Sequence, residues 1–166
     1  MDLKEAFEMA MQGEVEGREL YRVAAQQTDD KKAKEVFMSL SNDEDMHLHF
    51  LKKLYAEYEK GKEIELPELP KIREFDDAES PIFTREFKKF VKEKDFEMTT
   101  LSIGMKLELE AAQFYKDMAK QADSEKLKEF FLYLAKWEEG HFDALKKQKG
   151  YFEEYYKSRY SFYRGF

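Results

Sequence analysis

The chain has 166 residues, 42% of them hydrophobic and 39% charged, with a formal net charge of −7. That length suits one domain with a real core, and the acidic balance argues against a nucleic-acid or anionic-membrane partner. The sequence has no cysteine, which excludes disulfides, zinc fingers, thiolate clusters and cysteine nucleophiles.

The first element opens at "MDLKEAFEMA", where no basic region precedes an apolar run, so no signal peptide is expected. No stretch reaches the roughly 20 apolar residues that span a bilayer, and the default expectation is a cytoplasmic protein without a membrane partner. Helix A carries an apolar stripe through Leu3, Phe7, Ala10/Met11, Tyr21 and Ala24/Ala25. The steps of three and four are the helical period. After the short "TDD", helix B continues with Ala33, Val36/Phe37, Leu40, Leu48, Leu51 and Leu54. This first hairpin covers about residues 2–60.

A polar connector follows over about residues 61–94, and it holds all three prolines, Pro67, Pro70 and Pro81. A helix of about 30 residues is about 45 Å long, and an extended chain runs back along it in about 14 residues. The segment from Gly61 to Phe83 is long enough to cross the bundle, which leaves helices B and C parallel. A short helix from roughly Thr84 to Glu93 is expected before helix C.

Helix C follows through Leu101, Tyr115 and Met118, and helix D through Leu127, Phe130/Phe131, Leu134 and Leu145. "ADS" makes their tight turn, with Asp123 or Ser124 as the cap. This hairpin covers about residues 95–148. The aromatic tail, 149–166, is expected to pack as a short C-terminal helix on the bundle or on a second subunit.

The two hairpins are related. At an offset of 94, residues 10–53 fall on residues 104–147 without a gap, and 17 of the 44 positions are identical. Among them are Glu14/Glu108, Tyr21/Tyr115, Phe37/Phe131, Glu44/Glu138 and His47/His141. Each apolar stripe therefore carries an acid in its middle: Glu14 on A, Glu44 with His47 on B, Glu108 on C, and Glu138 with His141 on D. Isolated buried carboxylates cost several kcal/mol or lose their charge. Four carboxylates and two divalent cations make a neutral set, and two imidazoles complete it. Residues at i and i+3 share a helix face, so each Glu-x-x-His aims at one place. Hard carboxylates with imidazole suit iron or manganese. One Glu from each of two helices, with Glu-x-x-His from each of the other two, is the donor set of ferritin-like di-metal carboxylate bundles.

The motifs "EVEGRELY", "EDMH", "ELEAAQFY" and "EEGH", with the long B–C connector, resemble the ferritin-like di-iron carboxylate superfamily, and most of all its rubrerythrin-related branch, over roughly residues 3–148. The resemblance implies an all-α, ferritin-like four-helix bundle, with residues 1–166 forming a single domain. It implies Glu14 and Glu108 as terminal metal ligands, Glu44 and Glu138 as bridging ligands, and His47 and His141 as one ligand to each metal. Tyr21 and Tyr115, two turns beyond their glutamates, would hydrogen-bond to ligand carboxylates. The implied cofactor is two iron ions, with manganese or zinc also fitting the donors.

The implied chemistry is Fe(II) oxidation with reduction of H2O2 or O2, fed by an external electron donor such as a rubredoxin-like protein, in a homo-oligomer, expected to be a dimer. The chain departs from the family in having no cysteine for a rubredoxin module and in carrying Ala111 where an additional glutamate follows the helix C ligand. The six-ligand set also resembles the ferroxidase centre of bacterioferritins. Two alternatives therefore stay open: an iron-storage or ferroxidase subunit of a ferritin-like oligomer, and a non-enzymatic helical binding protein with a vestigial metal site.

The remaining polar residues read as surface. His49 lies off the inward stripe, and Asp43, Asp45, Glu139, Glu16 and Glu110 read as outer-face charges. Trp137 reads as packing or interface. Gly13 and Gly17 flank Glu14, either to leave space for oxygen, peroxide or water or to let helices pack closely.

Overall fold

The computed structural model describes residues 2–29, 31–61, 65–72 and 95–161. They form α1 (Leu3–Gln27), α2 (Lys31–Glu59), α3 (Asp95–Gln121) and α4 (Glu125–Ser161), with no strand among the described residues. None of these helices is long and apolar enough to cross a membrane.

The helix ends follow local chemistry. Asp2 caps α1 by accepting from the Glu5 amide at 2.8 Å, and Glu5 accepts from the Asp2 amide at 3.1 Å. This reciprocal box satisfies two otherwise orphaned donors. At the far end of the first hairpin, Gly61 takes φ 60°, a left-handed conformation that favours glycine, just past the end of α2. Between α3 and α4, Ser124 provides the cap by accepting from the Leu127 amide at 3.3 Å.

Ring contacts fix the helix directions. Phe7, early on α1, lies 5.6 Å from Tyr55, late on α2, and 5.8 Å from Phe131, early on α4. Tyr21, late on α1, reaches Phe37 of α2, and its hydroxyl meets Glu108 of α3. Thus α1 is antiparallel to α2 and to α3 and parallel to α4, and α2 and α3 are parallel. This is the ferritin-like arrangement that the length of the connector and the short turns anticipate.

The described part of the connector, 65–72, already travels along α4. Tyr133 donates to the Pro70 carbonyl at 2.7 Å, and Leu66 and Leu69 pack on the core around Phe131. The short helix expected at 84–93 lies outside the described residues. The tail differs from expectation, because residues 149–161 continue α4 without a break instead of forming a separate helix. Gly150 sits within the helix, where it costs about 1 kcal/mol against alanine, too little to end it.

The core falls into two apolar layers with a polar layer between them. One holds Phe7, Leu51, Leu54, Tyr115, Phe130, Phe131 and Leu134; the other holds Tyr21, Ala24, Phe37, Leu40, Leu101 and Leu145. The repeat is visible in three dimensions: Tyr21 stacks on Phe37 at 6.4 Å, and Tyr115 stacks on Phe131 at 6.3 Å. Each of these side chains is buried and contributes roughly 1.5–3 kcal/mol by leaving water. The two layers clamp the acids of the four stripes in place.

Candidate metal centre

Glu14, Glu44, His47, Glu108, Glu138 and His141 all meet in the polar layer, each no more than 3% exposed. They form two groups of four. Glu14, Glu44, His47 and Glu138 make one, and Glu44, Glu108, Glu138 and His141 make the other. Within each group one donor atom per residue lies within 4.8 Å of all the others. Glu44 and Glu138 belong to both groups, so they stand between two positions. Glu14 and Glu108 stand at the two ends.

Both histidines turn Nδ1 toward the carboxylates. His47 Nδ1 lies 2.9 Å from Glu138, 3.3 Å from Glu14 and 3.7 Å from Glu44. His141 Nδ1 lies 3.1 Å from Glu138, 3.2 Å from Glu44 and 3.5 Å from Glu108. The two rings are 6.0 Å apart.

Burial and crowding set the charge states. Burial pushes the Glu14 carboxyl well up, and the charges of Glu138 and Glu44 push it further. Burial and the charge of Glu44 do the same to Glu108. Burial also opposes ionisation of Glu44, but hydrogen bonding to both imidazoles outweighs it and holds that carboxyl low. Glu138 is lowered because the two histidines overcome burial and the charge of Glu44. Burial disfavours charge on the histidines. Glu138 and Glu14 nevertheless hold His47 well above its ordinary range, and Glu108 and Asp43 do the same for His141. The neighbours thus favour charge on Glu44, Glu138 and both histidines and oppose it on Glu14 and Glu108.

Those charges do not satisfy the geometry. Glu14 Oε2, Glu44 Oε1, both ring nitrogens of His47 and both Glu138 oxygens are buried without an aligned hydrogen bond. Such a buried polar atom costs about 1–3 kcal/mol. Hard carboxylate oxygens and imidazole nitrogens that converge from four helices fit divalent cations. The donor set suits iron or manganese.

Two tyrosines complete the layer. Tyr21 donates to Glu108, and Tyr115 donates to Glu14, so each phenol reaches the end glutamate of the other hairpin. Burial and the facing carboxylate raise both phenols well above their ordinary range, which keeps them as donors.

One sequence assignment is corrected. Asp43 is not an outer-face charge; it is 4% exposed, and its Oδ2 lies 3.3 Å from His141 Nε2. Its equivalent in the repeat is Trp137, whose ring meets His47 edge-on at 4.9 Å. No single-helix pattern marks Asp43, because its partner lies 98 residues away on α4. The other surface assignments stand. His49, Glu16, Glu110 and Glu139 are exposed, and Asp45 pairs with Arg18 at 2.8 Å.

A cavity of about 230 Å³ opens onto this layer between α1 and α3. Glu14, Glu44 and Glu108 form part of its wall, with Gly13, Gly17 and Ala111. A Cβ on Gly17 would sit 3.4 Å from the Glu44 side chain, whereas one on Gly13 would meet nothing within 4 Å. Small side chains at 17 and 111, equivalent in the repeat, keep this face of the acids accessible.

Comparison with known proteins agrees with this fold. A family model described as Rubrerythrin matches residues 5–149. No curated protein matches the chain. Among solved structures, a hypothetical protein from Pyrococcus furiosus is similar at a TM-score of 0.69 and 25% identity, over 93% of this chain and 92% of that one.

Proposed function

The chain belongs to the rubrerythrin family, and from that premise we propose that its buried acid–imidazole layer holds two iron ions and couples their oxidation to reduction of H2O2 or O2. The observation that carries the reading is the pair of four-residue groups sharing Glu44 and Glu138. Glu14 and His47 would complete one position, and Glu108 and His141 the other. When bound there, an iron pair would supply electrons to a small oxidant.

The protein's own part can be derived from its side chains. Four carboxylates balance two divalent charges without help from solvent. Tyr21 and Tyr115 hold the end glutamates in fixed rotamers by hydrogen bonds from the opposite hairpin. The apolar layers on either side exclude bulk water from the acids. The cavity beside Gly13, Gly17 and Ala111 gives molecules of the size of H2O2, O2 or water a path to the acids. With no cysteine in the sequence, the chain has no thiolate redox module, and returning the irons to Fe(II) requires a separate donor.

The test is anaerobic Fe(II) titration of chelator-treated protein, followed by separate O2 and H2O2 challenge. Two irons per chain, and near-ultraviolet absorption that grows on oxidation, are expected. Fewer than one iron per chain would reject the assignment. Hundreds of irons per chain in a large assembly would replace it with iron storage.

A further inference from the structure

The internal repeat makes the six proposed ligands equivalent in pairs but breaks at the residue before each shared glutamate. Position 43 is Asp and position 137 is Trp. Both side chains are buried, at 4% and 3% exposure, and each reaches the histidine of the other hairpin. Asp43 Oδ2 lies 3.3 Å from His141 Nε2, on the side of the ring facing away from the cluster. Trp137 instead presses its ring edge-on against His47. Indole has an N–H donor and no acceptor, so it cannot take a proton from His47 Nε2. That nitrogen has no hydrogen bond among the described residues.

We propose that Asp43 is a positioning residue that makes the two metal positions unequal: the one at His141 fills first and tightly, and the one at His47 fills second and exchanges. The proposal rests on the reading that the six residues hold two metals. A carboxylate behind an imidazole fixes the tautomer, so that Nε2 carries the hydrogen and the Nδ1 lone pair faces the ion. It also fixes the ring plane and strengthens the donor. At His141 that lone pair points at Glu44, Glu108 and Glu138, all within 3.5 Å. His47 has the matching carboxylates, but among the described residues no acceptor behind the ring selects its tautomer, and on that side packing against Trp137 is the contact. Binding there must include the cost of selecting the tautomer.

Mn(II) is the probe, because isothermal titration gives its constants and electron paramagnetic resonance separates an isolated ion from a coupled pair. In chelator-treated full-length protein the first Mn(II) should bind at least about 10-fold more tightly than the second, the scale of an outer hydrogen bond to a ligand histidine. At one equivalent the spectrum should be that of an isolated ion. Asp43→Asn should weaken the tight constant by roughly 10- to 100-fold and leave the weak one nearly unchanged. His47→Ala should keep the tight position and His141→Ala should lose it, a comparison that decides the matter even if the Asp43 variant does not fold. No Mn(II) binding in the wild type would sink the metal reading and this proposal together. Two equal constants, or equal affinity in His47→Ala and His141→Ala, would sink this proposal alone.

Discussion

Tyr115 on α3 donates its phenolic hydrogen bond to Glu14 on α1, 101 residues away, and not to Glu108 on its own helix. Tyr21 returns the contact to Glu108. The exchange ties the two hairpins together at the α1–α3 seam, where the cavity removes packing. Removing the Tyr115 hydroxyl leaves Glu14 with a buried unsatisfied oxygen, at a cost of about 1–3 kcal/mol. Tyr115→Phe should therefore lower the melting temperature of metal-free protein by roughly 2–10 °C, with the ring stacking on Phe131 retained. Thermal denaturation followed by circular dichroism checks this, and an unchanged midpoint would mean that the bond contributes nothing.

The shared and end glutamates should differ in what their loss removes. Glu44 and Glu138 belong to both groups of donors, whereas Glu14 and Glu108 belong to one each. Glu44→Ala should lose both metals, and Glu14→Ala should retain about one per chain. Elemental analysis of protein purified without chelators reads the ratio directly. Equal metal content in the two variants would contradict the assignment of bridging and terminal roles.

Much of this arrangement is legible in the amino-acid sequence. The repeat samples each ligand twice at one register, and i, i+3 spacing fixes which acid accompanies each histidine. Loop length alone orders the helices, since two three-residue turns and one long connector leave few arrangements. Asp43 is not legible, because the repeat replaces it with Trp137 and because its role depends on the register between α2 and α4. The partners of the tyrosines are hidden for a similar reason: sequence places Tyr115 on the same stripe as Glu108, and only the crossing of α1 and α3 gives it to Glu14. The continuation of α4 past Gly150 is hidden too, because a glycine weakens a helix without necessarily ending it.

The pH dependence of stability should change sign with metal. In metal-free protein the fold holds protons on Glu14, Glu108 and both histidines more tightly than the unfolded chain does. That stabilisation is complete below the ordinary values of 4.5 for glutamate and 6.5 for histidine, and it is lost as pH rises above them. Glu44 and Glu138 act oppositely, and their contribution is lost as pH falls below 4.5. Each proton retained only by the fold makes stability fall by about 1.4 kcal/mol per pH unit. The melting temperature of metal-free protein should therefore fall as pH rises above the ordinary histidine value of 6.5, whereas bound cations displace these protons and stabilise more as pH rises. Parallel melting curves across that range test the sign; a metal-free midpoint that climbs with pH contradicts it.

The two glycines beside Glu14 should separate stability from access. Gly13 is exposed inside α1, and a Cβ there meets nothing within 4 Å. Gly13→Ala should stabilise by about 0.5–1 kcal/mol, because alanine restricts the unfolded chain and loses no native contact. Gly17 is buried at the cavity wall, with the Glu44 side chain 3.4 Å from its missing Cβ. Gly17→Leu should fill the opening between α1 and α3 and crowd Glu44. With iron bound at about the wild-type ratio, its oxidation by H2O2 should slow by an order of magnitude or more, an effect on the scale of about 1.4 kcal/mol or above. Stopped-flow absorbance of the two variants, each normalised to its iron content, measures the contrast. Oxidation of Gly17→Leu at the wild-type rate would show that H2O2 reaches the metals by a route other than this cavity.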